Sequence, residues 1–313
     1  MKGLELSRAY FEECGLPMLR EQFPVLLPYV CAGLTGSGSE CFGFDDDISA
    51  DHDFEPGFCL FLPGEDAVSR RDAFLLERAY DKLPREFRGY RRGLMGPVGG
   101  CRRGVLRTAE YFTEKAGTAD GNLSPTQWLT TPDYALAEAV NGEIFYDGLG
   151  EVTAIRQRLS HYPEDIRKKK LAAQLLLMAQ SGQYNYMRCV KHGETGAAQL
   201  AVTEFVRHGM QAVFLLNNVY MPYYKWSFRA MRALPRLSLL AVLMEYLLTT
   251  DNGPDMALDK QDVMEGMAAD VIDELQRQGL TQAVCGDLEK HAYSVQDGIG
   301  NGEIRNLHIL ASE

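Results

Sequence analysis

The chain has 313 residues, enough for one large domain or two ordinary ones, and its 46% hydrophobic and 24% charged residues are typical of a soluble globular protein. A formal net charge of -11 disfavours general attraction to nucleic acid and to anionic membranes. The seven cysteines include no CxxC pair, the N-terminus lacks a signal-peptide core, and the most apolar run, Leu237–Leu248, contains Glu245. We therefore expect a cytoplasmic protein with reduced thiols and no membrane partner.

The first elements are short. Residues 4–28 carry apolar positions that predict one or two helices, and Pro24 and Pro28 interrupt the pattern. Residues 29–34 form an apolar run that predicts a buried strand.

A glycine- and serine-rich turn, Gly36-Ser37-Gly38-Ser39, follows that strand. Such a turn exposes backbone N–H groups, and if a helix follows, its positive N-terminus can hold a phosphate. Gly36, Ser37 and Ser39 are therefore predicted phosphate-binding residues. No Gly-Lys-Ser/Thr follows the glycines, which excludes a P-loop.

Five aspartates fall within residues 45–53, and two of them, Asp51 and Asp53, stand at the start of the next apolar run. Alternate residues of a strand share a face, so these two carboxylates would project together and repel unless a cation lies between them. Oxygen ligands favour Mg²⁺. An EF-hand is excluded because Ala50 stands where its loop needs Gly and Pro56 where it needs Glu. The alternative is a solvated acidic loop.

The pattern continues with a strand over residues 58–62 and a helix within residues 64–81 that Asp66 could cap. Residues 84–103 are rich in Arg and Gly and could neutralise a triphosphate, or form a mobile solvated loop. Residues 104–112 predict a further strand.

From about Ser160 the pattern changes to long helices. Their number and length predict a helical bundle with one core. The predicted helices cover residues 165–181, 197–219, 227–250, 254–278 and 281–298.

Two polar-aromatic clusters stand out in this half. Tyr184 and Arg188 are one helical turn apart, and Lys225 lies in the aromatic run YMPYYKW. The lysine could contact nucleotide phosphates and the tyrosines could stack on a base. The alternative is an aromatic junction between helices with a surface lysine.

The motif Gly36-Ser37, a spacer and then Asp51-His52-Asp53-Phe54 resembles the signature of the DNA-polymerase-beta-like nucleotidyltransferase superfamily. The stretch GSGSECFGFDDDISADHDF looks more specifically like an uncharacterised bacterial branch known only as a domain of unknown function. Later segments look like that branch too, so the resemblance covers nearly the whole chain. They are NGEIFYDGLGEVTAIRQRL, GQYNYMR, YMPYYKWSFRAMRALP and EIRNLHIL.

The resemblance implies an α/β (α+β) nucleotidyltransferase-like domain with a small mixed sheet over residues 1–155, and an all-α helical-bundle domain over residues 156–313 that covers the active site. It also implies a third carboxylate on a later strand. Leu106 occupies the expected slot, which leaves Glu110, Glu143 and Asp147 as candidates.

The implied activity is Mg²⁺-dependent transfer of a nucleoside monophosphate from a nucleoside triphosphate, with ATP the expected donor, to a hydroxyl of a small molecule or protein. Asp51 and Asp53 would be the catalytic, metal-binding residues. A catalytically inactive nucleotide-binding or protein-interaction module of the same fold is the alternative, favoured by the uncertain third carboxylate. Pairing with a second protein, as in nucleotidyltransferase-based toxin–antitoxin systems, is a weaker third hypothesis.

Overall fold

The computed structural model describes residues 1–46, 55–92 and 103–312. The chain divides into two compact units. The N-terminal unit comprises Met1–Leu123 and Thr131–Ser160, and the helical unit comprises Ser124–Thr130 and His161–Glu313.

A small mixed sheet lies in the N-terminal unit. Its strands are β1 (Cys31–Leu34), β2 (Cys59–Leu62), β5 (Gly104–Arg107) and β6 (Glu143–Asp147), and a separate hairpin pairs β3 (Glu86–Phe87) with β4 (Tyr90–Arg91). The strand order in the mixed sheet is β5-β2-β1-β6. β1 runs antiparallel to β2 and β6, whereas β2 runs parallel to β5.

The two central strands are buried at every residue, as their continuous apolar sequences CAGL and CLFL predict. Phe58, just before β2, packs edge-on against Phe11 and Tyr80 with ring centroids 5.3 and 5.0 Å away. The Tyr80 hydroxyl donates to the Phe58 carbonyl at 2.8 Å and accepts from its N–H at 3.0 Å. The two predicted strands are therefore confirmed, and an aromatic cluster fixes the start of β2.

Two helices of the N-terminal unit, α3 (Arg70–Asp81) and α4 (Thr108–Ala116), form walls of the candidate site. Ser69, not Asp66, caps α3, because its Oγ accepts from the Asp72 N–H at 3.1 Å. The α-helices are α1 (Gly3–Tyr10), α2 (Leu16–Gln22), α3 (Arg70–Asp81), α4 (Thr108–Ala116), α6 (Asp133–Val140) and α7 (Glu151–Arg158); α5 (Pro125–Thr130) belongs to the helical unit.

The predicted strand over residues 104–112 is only half right. It ends at Arg107, where the chain turns directly into α4. The Thr108 hydroxyl donates to the Leu62 carbonyl at 3.1 Å, at the end of the neighbouring strand. Glu110 is consequently a helical residue, not a strand residue.

The helical unit contains no strand within its described residues, which confirms the mixed α+β class with a mostly helical C-terminal half. Besides α5, its helices are α8 (Glu164–Met178), a π-helix (Ala179–Tyr186), α9 (Met187–Lys191), α10 (Thr195–Leu216), α11 (Tyr224–Arg232), α12 (Leu240–Thr249), α13 (Pro254–Arg277), α14 (Leu288–Asp297) and α15 (Gly302–Asn306). Among these, α8 packs against α10 and α14.

The single helix predicted over residues 227–250 is wrong, because α11 and α12 are separate. Pro235 has no N–H to continue a helix, and Leu237 adopts a left-handed φ of 57°. Asn217 binds the backbone of Arg236 within the break. Among the described helices, none is long and apolar enough to cross a bilayer.

Three consecutive lysines at the start of α8 bind backbone carbonyls of three other segments. Lys168 donates to Gly298, Lys169 to Leu307 and Lys170 to Leu129, at 3.1, 2.6 and 3.3 Å. Lys169 is fully buried and Lys170 is 6% exposed. The basic start of α8 therefore serves internal packing.

Candidate active site

A cavity of about 400 Å³ opens in the N-terminal unit where β1 ends. We call it the turn cavity. One wall is the turn Thr35–Gly38, and β5 contributes Val105, Leu106 and Arg107. The other walls are one face of α3, with Arg70, Ala73, Phe74 and Glu77, and one face of α4, with Glu110, Tyr111, Glu114 and Lys115.

The turn has a fixed backbone. Gly36 adopts a φ of 124°, which a residue with a side chain rarely does. The Asn141 side chain bonds both its N–H and its carbonyl. Thr35 is buried, and its hydroxyl donates to the Glu138 carbonyl at 2.9 Å. Ser37 is the exposed residue of the turn and lines the turn cavity, so a ligand in the cavity can contact it.

A single 3-10 turn, Ser39–Phe42, follows the glycine- and serine-rich turn. Four residues have almost none of the aligned dipole of a longer helix, so the condition for phosphate binding by a helix N-terminus, that a helix follows the turn, is not met. Gly36 and Ser37 line the turn cavity, whereas Ser39 is half-buried in the 3-10 turn and is not a lining residue.

A buried ion pair adjoins the turn. Arg103 Nη2 lies 3.0 Å from Glu40 Oε1, and their side chains are 9% and 6% exposed. Burial acts to lower the pKa of Arg103, but the carboxylates of Glu40 and Glu55 raise it above its ordinary value. A Cβ on Gly38 would overlap the Glu40 carboxylate, so a larger residue at this position would displace that carboxylate. The pair places a neutralised carboxylate directly beside the turn.

The α3 wall carries an exposed aromatic ring. Arg70, Ala73, Phe74 and Glu77 lie at i, i+3, i+4 and i+7, the spacing of one helix face. Phe74 is 59% exposed, so its ring is accessible at the cavity wall. Arg70 is paired with Glu65 at 2.6 Å. This face therefore presents a flat apolar surface beside a carboxylate.

The three candidates for a third carboxylate have different positions. Glu110 lines the turn cavity and is exposed on α4. Glu143 is paired with Arg8, and Asp147 accepts from the N–H groups of Gly150 and Thr153 at the start of α7. Neither Glu143 nor Asp147 lines the turn cavity, so Glu110 is the one of these three candidates that does.

Asp51 and Asp53, the predicted metal ligands, lie outside the described residues. Within residues 1–46, 55–92 and 103–312, no cluster of three or more His, Cys, Asp or Glu side chains could hold a metal ion. The carboxylates of the turn cavity supply hard oxygen donors, the type that suits Mg²⁺, but they do not form a complete site on their own.

The other predicted site residues belong to the helical unit. The Arg188 guanidinium stacks 4.9 Å from the centre of the Tyr184 ring, and Tyr184 lines a second cavity of about 540 Å³ beside the π-helix. Lys225 is exposed at the start of α11, with its ammonium 4.9 Å from the Trp226 ring. Trp226 is half-buried, as at a helix junction.

Several residues at the turn cavity were missed by sequence reasoning. Asn141 follows α6 and Glu40 sits in the 3-10 turn, and both act through contacts with residues far away in sequence. The dipeptide Asn141-Gly142 signals a turn but not its partner. Phe74 is an apolar residue that lies outside the inner face of α3, and its helical position in the sequence indicates this.

Comparison with known proteins gives one family match. The model of a family described as Domain of unknown function (DUF4037) matches residues 128–227. Among solved structures, the chain is similar to a nucleotidyltransferase-like protein from Exiguobacterium sibiricum 255-15, at 11% sequence identity and a TM-score of 0.38, over 91% of this chain and 80% of that one. No curated protein matches. Similarity at this level assigns neither a family nor an activity to the chain.

Proposed function

We propose that the N-terminal unit binds a nucleoside triphosphate in the turn cavity and transfers its nucleoside monophosphate to a hydroxyl group, releasing pyrophosphate. The observation that best supports this proposal is the turn itself. Its exposed Ser37 and its glycines form one wall of a cavity whose volume lies in the range of small-molecule sites.

The residues of the turn cavity suit a nucleotide in three ways. The N–H groups of Ser37 and Gly38 and the Ser37 hydroxyl are donors for the β- and γ-phosphates. Arg107 adds a cation from β5; its Nη1 donates to the Pro63 carbonyl at 2.6 Å, which holds the guanidinium in place. Phe74 offers an exposed ring on which a base can stack.

Asp51 and Asp53 would hold Mg²⁺ in this proposal. Asp53 is two residues before Glu55 in sequence, and Arg103, a lining residue of the turn cavity, donates to the Glu55 carbonyl. Glu55, the first described residue after Asp53, is therefore hydrogen-bonded to a residue of the turn cavity. When bound, Mg²⁺ would neutralise phosphate charge and stabilise the attacking and leaving oxygens.

The chemistry proposed is an in-line displacement at the α-phosphorus. The acceptor hydroxyl loses its proton to a carboxylate, its oxygen forms the new bond to phosphorus, and the bond to pyrophosphate breaks. Of the three candidates, Glu110 lines the turn cavity, and this supports it as the acceptor of that proton. The acceptor is a small molecule or a protein. Ser39, Tyr184, Arg188 and Lys225 remain predicted nucleotide contacts.

A nucleotide-binding module without turnover is the second candidate. Leu106 occupies β5 at the turn cavity, where a strand carboxylate is expected, and Glu110 reaches the cavity only from α4. The two candidates share nucleotide binding and differ in whether pyrophosphate is released.

The test is a calorimetric titration of wild type with ATP, GTP, CTP and UTP, each with and without Mg²⁺, followed by a pyrophosphate-release assay with candidate acceptors. Asp51→Asn is the loss variant. Asp259→Asn, the same charge change on the exposed face of α13, is its control.

We expect Mg²⁺-dependent binding of one nucleotide by wild type and Asp259→Asn, and loss of about tenfold or more in Asp51→Asn. Binding without pyrophosphate release favours the second candidate. Absence of binding by wild type contradicts both.

A further inference from the structure

The side chain of Asn141 pairs with the backbone of Gly36 as a neighbouring strand would. Asn141 Oδ1 accepts from the Gly36 N–H at 2.9 Å, and Asn141 Nδ2 donates to the Gly36 carbonyl at 2.7 Å. Asn141 Oδ1 is also 3.1 Å from the Thr35 hydroxyl. Asn141 itself does not line the turn cavity, so it contacts the turn from outside the ligand space.

The backbone that carries Asn141 is itself fixed. Arg156 Nη2 donates to the carbonyls of Val140 and Asn141, both at 2.7 Å. The Gly142 N–H donates to the Cys41 carbonyl at 2.8 Å, and a Cβ on Gly142 would overlap the Leu34 carbonyl. The amide of Asn141 is therefore held in place before any ligand arrives.

We propose that Asn141 is a positioning residue for the phosphate-binding turn. It holds Gly36 in its left-handed conformation, and it occupies both hydrogen-bonding groups of that glycine. The phosphates are consequently bound by Ser37 and Gly38, and Gly36 acts through its conformation alone. This inference rests on the proposed function, since it assigns the turn a phosphate ligand.

The chain contains a matched clamp that serves as a control. In the helical unit, Asn217 Oδ1 accepts from the Arg236 N–H at 3.1 Å, and Asn217 Nδ2 donates to the Arg236 carbonyl at 3.0 Å. Both asparagines are half-buried. Asn→Asp at either position removes the same donor and adds the same charge, but only Asn141 adjoins the turn.

The experiment measures affinity for the Mg²⁺ complexes of mono-, di- and triphosphates of the preferred base by calorimetry, together with the melting temperature. We expect Asn141→Asp to weaken triphosphate binding by about 10- to 100-fold, because the new carboxylate repels the phosphates. The loss should decrease from triphosphate to monophosphate. Asn217→Asp should lower the melting temperature similarly and leave every affinity within about twofold.

Asn141→Ser, which shortens the side chain without adding charge, is the second variant. It should lose triphosphate affinity about fivefold, because the glycine is no longer held.

Three results would overturn the inference. Wild-type affinity in Asn141→Asp, or in Asn141→Ser where the first variant does not fold, refutes the positioning role and leaves the proposed function intact. An equal loss for all three phosphates, matched by Asn217→Asp, indicates a merely structural role. If wild type binds no nucleotide, the proposed function fails and the inference fails with it.

Discussion

The two units differ in how they accommodate buried charge. In the N-terminal unit, Arg103 is paired with Glu40, so opposite charges are buried together beside a cavity. In the helical unit, Lys260 donates to the Thr250 carbonyl and to Asn252 Oδ1, both at 2.9 Å, and Lys169 likewise bonds neutral oxygens of Gln296 and Leu307. Burial lowers the pKa of Lys260 and Lys169.

The difference indicates two uses of a buried cation. A buried ion pair is weak evidence for stability, because the desolvation of both charges offsets their attraction. Its position beside the turn favours a role at the site. The buried lysines contact backbone carbonyls from several segments, which favours a role in holding the bundle together. Two predictions test these uses, and a third tests whether the two units unfold separately. Both tryptophans, Trp128 and Trp226, lie in the helical unit, so their fluorescence follows that unit.

The largest effect is expected from breaking the buried ion pair. Arg103→Met leaves the Glu40 carboxylate buried without its partner, and should destabilise the N-terminal unit by about 3–5 kcal/mol. Urea unfolding followed by far-UV circular dichroism measures the loss. The double variant Glu40→Gln/Arg103→Met should recover much of it, since the Glu40 charge is also removed, while Glu55, which is 27% exposed and 3.6 Å from Arg103, still loses a charged partner. A single variant as stable as wild type would show that water reaches the pair.

Raising the pH should lower the stability of the N-terminal unit and raise that of the helical unit. Burial raises the pKa of Cys31, Cys41 and Cys59 in the N-terminal unit, that of Cys59 to about 12. Above the ordinary thiol value of about 8.5, the unfolded chain loses these protons first. The folded state then binds more protons than the unfolded state, and stability falls as pH rises, by up to about 1.4 kcal/mol per pH unit for each thiol.

In the helical unit, the change of stability with pH has the opposite sign. Because the pKa of Lys169 and Lys260 is lowered on folding, the unfolded state binds more protons below its lysine value of about 10.4, and stability rises with pH towards that value. Urea unfolding between pH 7.5 and about 9.5, with circular dichroism and tryptophan fluorescence side by side, compares the units. Cys59→Ala should reduce the change of stability with pH in the N-terminal unit only. Parallel slopes in the two signals would contradict the prediction.

The smallest effect is expected at the helix caps. Ser69→Ala removes the cap of α3 and Asn301→Ala that of α15, each at a cost of about 1 kcal/mol. Ser69→Ala should shift the circular dichroism transition without changing tryptophan fluorescence, and Asn301→Ala should shift the fluorescence. If Ser69→Ala shifts the fluorescence transition as much as the circular dichroism transition, the two units unfold as one.

The sequence predicted the parts of the fold that depend on local pattern. The apolar runs before the turn and at residues 58–62 are strands, and the helical character after Ser160 is confirmed. Boundaries failed where a tertiary contact decides them, as at Thr108, whose hydroxyl bonds Leu62, and at Leu237, whose left-handed backbone separates α11 from α12.

The candidate site was predictable only in its turn. Gly36 and Ser37 are adjacent in sequence and carry a recognisable turn composition. Asn141 is 105 residues away from Gly36, and Arg103 is 63 residues away from Glu40. No local period or motif encodes such pairings, because they arise only when β1, β5 and the end of α6 meet in space.

The lysine run of α8 has a consequence for chemical labelling. Lys169 is fully buried and Lys170 nearly so, and each ammonium is already hydrogen-bonded. An amine-reactive acylating reagent needs a free, accessible, unprotonated amine, so these side chains stay unmodified while the bundle is closed. Exposed Lys225 supplies a reactive reference in the same unit. Mass spectrometry of tryptic peptides can therefore measure the extent of Lys169 acylation over time. That extent reports how often the helices around α8 open.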